Sequence, residues 1–155
     1  MRDVEVIGVR IELPSTQPVV LLRETEGERV LPIMIGAFEA MAIAAAQEGV
    51  VPPRPMTHDL FANVLGALEH KISGVEVTGM SDGVFFADLI LDDATRVSAR
   101  PSDAIALALR TGSPIKCSDE VLEEAAIAAP PEEDEEIEEF RAFLDQVTPE
   151  DFGTG

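Results

Sequence analysis

Apolar and polar residues alternate along the first part of the chain in a way that predicts strands. Residues 4–13 place Ile7, Val9, Ile11 and Leu13 on one face, with Glu5 continuing that register at the edge. Two more apolar runs, residues 19–24 and 29–35, flank the polar turn Glu24-Thr25-Glu26-Gly27-Glu28. A period of two broken by short polar turns predicts an antiparallel meander of three strands. From Gly36 to about Gln47 the alternation gives way to small apolar residues, ended by Gly49. Ala40, Ala42, Ala44, Ala45 and Ala46 predict a helix able to approach a sheet or another helix closely. After a proline-rich connector, Thr57 stands as N-cap of a helix running to about His70.

The second half repeats this order. Residues 73–80 alternate, Ser81-Asp82-Gly83 is a hairpin signal, residues 84–91 are strongly apolar, and residues 95–99 add a short strand. Pro101-Ser102-Asp103 opens a helix to Arg110, with Ser102 as its N-cap and Gly112 closing it. Residues 115–117 form a short strand, and Ser118-Asp119-Glu120 caps a final helix to about Ala129. Strands followed by an Ala-rich helix occur at 19–47 and again at 84–111. The pattern predicts a single compact α+β domain of mostly antiparallel sheet with packed helices, built from two similar α/β halves. Residues 84–91 are apolar on both faces apart from Asp88, which predicts a central strand under helices or, alternatively, a subunit interface.

Charge divides the chain in two. Of the net −19, residues 130–155 carry ten acids against one base, a net of −9, leaving −10 on residues 1–129. The expected organisation is therefore a domain over 1–129 and an acidic tail over 130–155. The tail composition fits a solvated, disordered segment. Its Ile137, Phe140, Phe143 or Leu144, and Val147 also recur at helical spacing, which fits a short amphipathic helix docking on a protein partner or back on the body. Such acidity repels other polyanions at long range, so the charge opposes any nucleic-acid partner.

Composition narrows the setting. The single cysteine, Cys117, excludes an internal disulfide and a Cys-based zinc cluster, and fits a reducing compartment. Residues 1–5 enter a strand pattern directly, and no apolar run reaches the roughly 18 residues of a membrane span. The expectation is a cytoplasmic protein that does not engage a membrane. The chain contains no P-loop, dinucleotide glycine fingerprint, HExxH, CxxC or GxSxG.

The candidate chemistry centres on Pro52-Pro53-Arg54-Pro55-Met56-Thr57-His58-Asp59. Three prolines stiffen the backbone around Arg54. His58 is a candidate proton-transfer group, but neighbours on a helix do not face each other, so Asp59 is not its expected orienting partner. The plainer alternative is that both serve the helix start, Asp59 at the positive end of its dipole. Arg54 and Arg100 each precede a proline and a helix start, a context suited to binding phosphate; ion pairs with internal carboxylates are the alternative. Glu39, Asp88 and Asp103 are carboxylates inside apolar elements. Glu39 and Asp103 are also placed to cap helices, whereas Asp88 must lie at an edge or pair, an arginine being the natural partner. Carboxylates meeting a histidine could hold a hard divalent metal such as Mg.

Leu31-Pro32-Ile33-Met34-Ile35-Gly36, Glu39-Ala40 with Ala42-Ile43, Pro52-Pro53-Arg54-Pro55 with Thr57-His58-Asp59-Leu60, Asp82-Gly83, and Ala99-Arg100-Pro101-Ser102-Asp103-Ala104-Ile105-Ala106-Leu107-Ala108 together resemble the bifunctional nuclease domain family. The resemblance covers about residues 3–128. It implies a compact α+β domain, usually self-associating, with DNase and RNase activity as in plant members; a homodimer is the expected oligomer. The chain departs from the family pattern with Ser98 in place of a common Asp, Phe86 in place of Tyr, and Met34 where many members have Trp.

Two functions follow as expectations. One is a nuclease hydrolysing DNA or RNA phosphodiesters, with catalytic candidates His58, Asp59, Glu39 and Asp103 and phosphate-binding candidates Arg54 and Arg100. The other is a non-catalytic regulatory or protein-interaction module with a small-anion pocket.

Overall fold

The computed structural model describes residues 1–11 and 14–128. The predicted tail, residues 130–155, lies outside the described residues. The strands are β1 (Arg2–Ile11), β2 (Pro18–Glu24), β3 (Arg29–Met34), β4 (Ile72–Ser81), β5 (Val84–Leu91), β6 (Arg96–Ala99), β7 (Ile115–Cys117) and β8 (Ile127–Ala128). The helices are α1 (Ala37–Gln47), α2 (Thr57–Ala67), α3 (Pro101–Thr111) and α4 (Asp119–Ala125). The described strands form one sheet in the order β6-β5-β4-β7-β1-β2-β3-β8. Every pair is antiparallel except β4 with β7. The chain thus runs twice through a three-stranded meander followed by a helix, β1-β2-β3-α1 and β4-β5-β6-α3, with β7 joining the two meanders. This is the expected α+β architecture.

Local chemistry explains the joints. Asp82 and Gly83 both have positive φ, 52° and 77°, the conformation of a tight hairpin turn whose twist matches the strands it joins. Gly112 closes α3 at φ 69° in the left-handed region. Glu24, a buried carboxylate, is ion-paired with Arg29 across the β2–β3 turn.

The core lies between one sheet face and the helices. Val20, Leu22, Leu31, Ile33, Val75, Val77 and Leu89 meet Ile43 of α1, Ile105 and Leu107 of α3, and Val121 and Leu122 of α4. α3 is the most deeply buried of the described helices, with Ala104, Ile105, Ala106, Leu107 and Ala108 all buried. It packs on β4 and β5 and also on α1 and α2. α2 has no fully buried residue and rests chiefly on α3.

Several expectations are corrected. A β-bulge in β1 between Val6 and Gly8 breaks the alternation, so Val9 joins the helix-covered core with Val4 and Val6 while Ile7 turns to the opposite face. Met56 rather than Thr57 is the N-cap of α2, because the Asp59 carboxylate accepts the Met56 backbone N–H at 3.0 Å. Arg100 rather than Ser102 caps α3. Pro101 takes the first helical position, where its missing N–H and fixed φ cost nothing, and Ser102 is buried. α4 ends at Ala125, and Ile127–Ala128 pairs with β3 as a strand. β5 is not central: it lies second from the sheet edge, with α3 on one face and Val84 and Phe86 exposed on the other. Asp88 points to that outer face, where Arg96 bonds both it (3.2 Å) and Glu76 (3.2 Å).

Because Ile105 is fully buried at the sheet–helix junction, Ile105→Ala is expected to cost about 2–5 kcal/mol. Urea denaturation measures this, and a loss well below that range would mean α3 is not the central packing element.

Candidate functional site

The first turns of α1, α2 and α3 each carry a carboxylate at the third helical residue: Glu39, Asp59 and Asp103. Acids there favour the positive end of the helix dipole, so local sequence alone places all three. Tertiary packing then gives them different partners.

Glu39 and Asp103 converge on Arg100. The Arg100 Nε donates to Asp103 Oδ2 at 2.8 Å, and its Nη2 lies 2.7 Å from the same oxygen and donates to Glu39 Oε1 at 2.9 Å. These bonds, to Asp103 and then to Glu39, hold the guanidinium pKa above its usual range. Arg100 is nevertheless 66% exposed, and its Nη1 has no partner among the described residues. The Glu39 carboxylate also folds back against Gly36, so a Cβ there would displace it.

His58 joins the same cluster. Its Nε2 lies 3.0 Å from Asp103 Oδ1, and the ring is 16% exposed. Because a carboxylate only accepts, Nε2 is the donor in this bond, and in the neutral ring the lone pair is then on Nδ1. His58, Asp103, Arg100 and Glu39 therefore form one bonded chain. With a neutral imidazole, two carboxylates stand against one guanidinium, a local net charge of −1.

Asp59 is turned elsewhere. Its Oδ1 accepts from Arg110 Nε at 2.7 Å, while Arg110 also donates to the backbone oxygens of Ala106 (2.8 Å) and Ala42 (3.1 Å). One guanidinium, 13% exposed, thus ties α1, α2 and α3 together. Burial alone would raise the Asp59 pKa, but the Met56 N–H bond and the Arg110 guanidinium outweigh it and hold the carboxyl below its usual range. Arg54 is exposed, does not line the cleft described next, and makes no hydrogen bond or ion pair among the described residues. The structure thus bonds Glu39, His58, Arg100 and Asp103 into one cluster, while Asp59, on the wall of the same cleft, bonds Arg110 instead.

The His58 cluster lies in a cleft of about 860 Å³. Its walls are largely apolar, with Phe38 and Met41 from α1, Met56 and Phe61 from α2, and Val97 from β6. Ser98, the residue that departs from the expected Asp, also lines it. Sequence reading missed Arg110 and these apolar walls. The available signal for Arg110 was that it is the one base inside α3. Among the described residues no three His, Cys, Asp or Glu side chains gather as a metal-holding group.

Comparison with known proteins bears on this arrangement. A family model described as Bifunctional nuclease domain matches residues 20–130. Uncharacterized proteins of Mycobacterium tuberculosis strains CDC 1551 / Oshkosh and H37Rv are 49% identical, with 98% of both chains covered. Proteins named Bifunctional nuclease 2 from Arabidopsis thaliana and Oryza sativa subsp. japonica are 28% and 26% identical over 67% and 70% of this chain. Those alignments span 34% and 36% of the plant proteins, about a third of their length. No helix among the described residues is long and apolar enough to cross a membrane.

The Asp59–Arg110 bond has a pH signature. Its carboxyl is depressed in the folded state, so the stabilisation is fully present above the ordinary value of 3.8 and is lost as pH falls through the lower folded value. Asp59→Asn is expected to cost about 1.5–3 kcal/mol at neutral pH, with the gap from wild type closing below that value. Denaturant unfolding across pH measures both, and a pH-independent gap would contradict the latch.

Proposed function

The chain belongs to the bifunctional nuclease domain family, and on that premise we propose that it hydrolyses phosphodiester bonds in the cleft between α1, α2 and α3. One observation carries the reading: the 3.0 Å His58–Asp103 bond, which orients an imidazole lining the cleft and leaves its Nδ1 without a partner among the described residues. A histidine whose second nitrogen is held by a carboxylate has a fixed tautomer and direction, as general base catalysis requires. In this reading His58 Nδ1 takes a proton from a water that attacks phosphorus. The bond to the leaving oxygen breaks, and that oxygen takes a proton from solvent. Asp103 orients the ring. Arg100, exposed and with Nη1 unengaged, meets the phosphate, while Glu39 holds Arg100 in place. Asp59 acts on structure, through Arg110, and Arg54 takes no part in the step. Exposed Phe38 and Met41 at the cleft rim fit a second copy of the chain, so a homodimer is part of the proposal.

A non-catalytic regulatory module is the second reading. It is favoured by the partial neutralisation of Arg100, which leaves the cleft floor net acidic and poorly suited to a polyanion.

Protein free of contaminating nucleases, incubated with single- and double-stranded DNA and RNA in EDTA or in Mg, Mn or Ca, separates the two. Cleavage by wild type with a loss of about 10²–10⁴-fold in His58→Ala and Asp103→Asn supports the nuclease. Intact substrates in every condition, or variants that cleave like wild type, would reject it.

A further inference from the structure

The sheet face turned away from the helices carries an apolar cluster. Val19, Leu21 and Val30 are 6%, 2% and 0% exposed, and Ile7 packs with them. All four come from β1, β2 and β3, and no helix residue among the described residues joins the cluster. Successive strand residues point to opposite faces, so these side chains look away from Val20, Leu22 and Leu31, which meet the helices. Burial this complete needs a cover, and the described strands supply none.

The same face is evenly charged, unlike the chain as a whole. Arg10 pairs across the strands with Val19, Arg23 follows Leu21 by two residues, and Lys116 alternates with the inward Ile115 and Cys117. Asp3 and Glu5 share this side, Glu5 bonded to Arg23 at 2.8 Å, and Glu76 of β4 stands opposite Lys116, so three bases meet three acids in a chain of net −19.

The chain beyond residue 128 leaves from beside this cluster. Ile127 pairs with Val30 in β8, one strand spacing of about 5 Å away. Eight residues, 129–136, extend to at most about 29 Å, more than the roughly 15 Å across β8, β3, β2 and β1. Residues 137–147 would make a helix about 16 Å long. Ile137, Phe140, Leu144 and Val147 fall on one stripe of it, and seven acids lie between Glu132 and Glu139.

We propose that residues 137–147 form an amphipathic helix lying across the outer face of β1–β3, its apolar stripe on Ile7, Val19, Leu21 and Val30 and its acids near Arg10, Arg23 and Lys116. The tail is thus a cover belonging to the fold, and it gives the sheet a second packed face. This inference is independent of the nuclease reading.

A nitroxide on Gln146→Cys in the full chain tests it by paramagnetic line broadening. Cys117 does not compete for label, because it is buried and burial pushes its thiol pKa up to about 12. The expected result is loss of the amide signals of Ile7, Val19, Leu21 and Val30, with α2 signals retained. Adding Phe140→Asp and Leu144→Asp is expected to restore them while the α3 signals stay folded. No broadening in β1–β3 would overturn the proposal. So would broadening that persists when the spin label and the isotope label are on different molecules, since the occupant would then be a second copy.

Discussion

Ala104, Ala106 and Ala108 let α3 sit closer to its neighbours than a helix of larger side chains could, and the cleft is built on that close approach. The helix is packed by β4 and β5 on one side and by α1 and α2 on the other. Its start is therefore fixed by burial rather than by surface contacts. Arg100, Pro101 and Asp103 lie at that start, so the floor of the cleft inherits the rigidity of the core. A group meant to orient an imidazole gains most from such a foundation, since its own bond is partly exposed and contributes little stability by itself.

Electrostatics divides the work between the arginine that caps the start of α3 and the one in its last turn. Arg110, nearly buried, spends its donors on Asp59 and on two backbone oxygens, and so joins three helices. Arg100, largely exposed, is held by Glu39 and Asp103 with one donor group left over. The three helix-start carboxylates look equivalent in sequence. Only the direction of each side chain after packing makes one a structural latch and two a pair around an exposed guanidinium.

The same distinction sets how much was legible in the sequence. Alternation in residues 19–24 and 29–35, the Asp82-Gly83 turn, and the Ala-rich stretches gave the strands, hairpin and helices, because these depend on near neighbours. The family motifs gave the membership and the identity of the clustered residues. The bulge in β1 was hidden, since an extra residue in one strand shows only against its partner. The Ser102 cap was misread because Pro101 already suits the first helical turn. Adjacent His58 and Asp59 were rightly not paired with each other. The real partner of His58 was out of reach, as Asp103 is 45 residues away and only the packing of α2 on α3 joins them. Arg54 and Arg100 share an Arg-Pro context, yet local similarity carries no distance, and only Arg100 enters the cleft.

The proline connector gains its meaning from the weak anchoring of α2. That helix buries no residue completely and leaves Leu60, Phe61 and Val64 about half exposed, so apolar contact with the described residues holds it only weakly. Two other devices remain. The Asp59 carboxylate bonds the Met56 N–H and the Arg110 guanidinium, holding the first turn from inside. Pro52, Pro53 and Pro55 limit the conformations available to the segment leading into that turn, which lowers the entropy lost in holding it. Both act on the one turn that presents His58 to Asp103. A soft connector would leave the imidazole direction to a single part-buried bond, whereas stiffness on one side and a latch on the other define it without a deeper core.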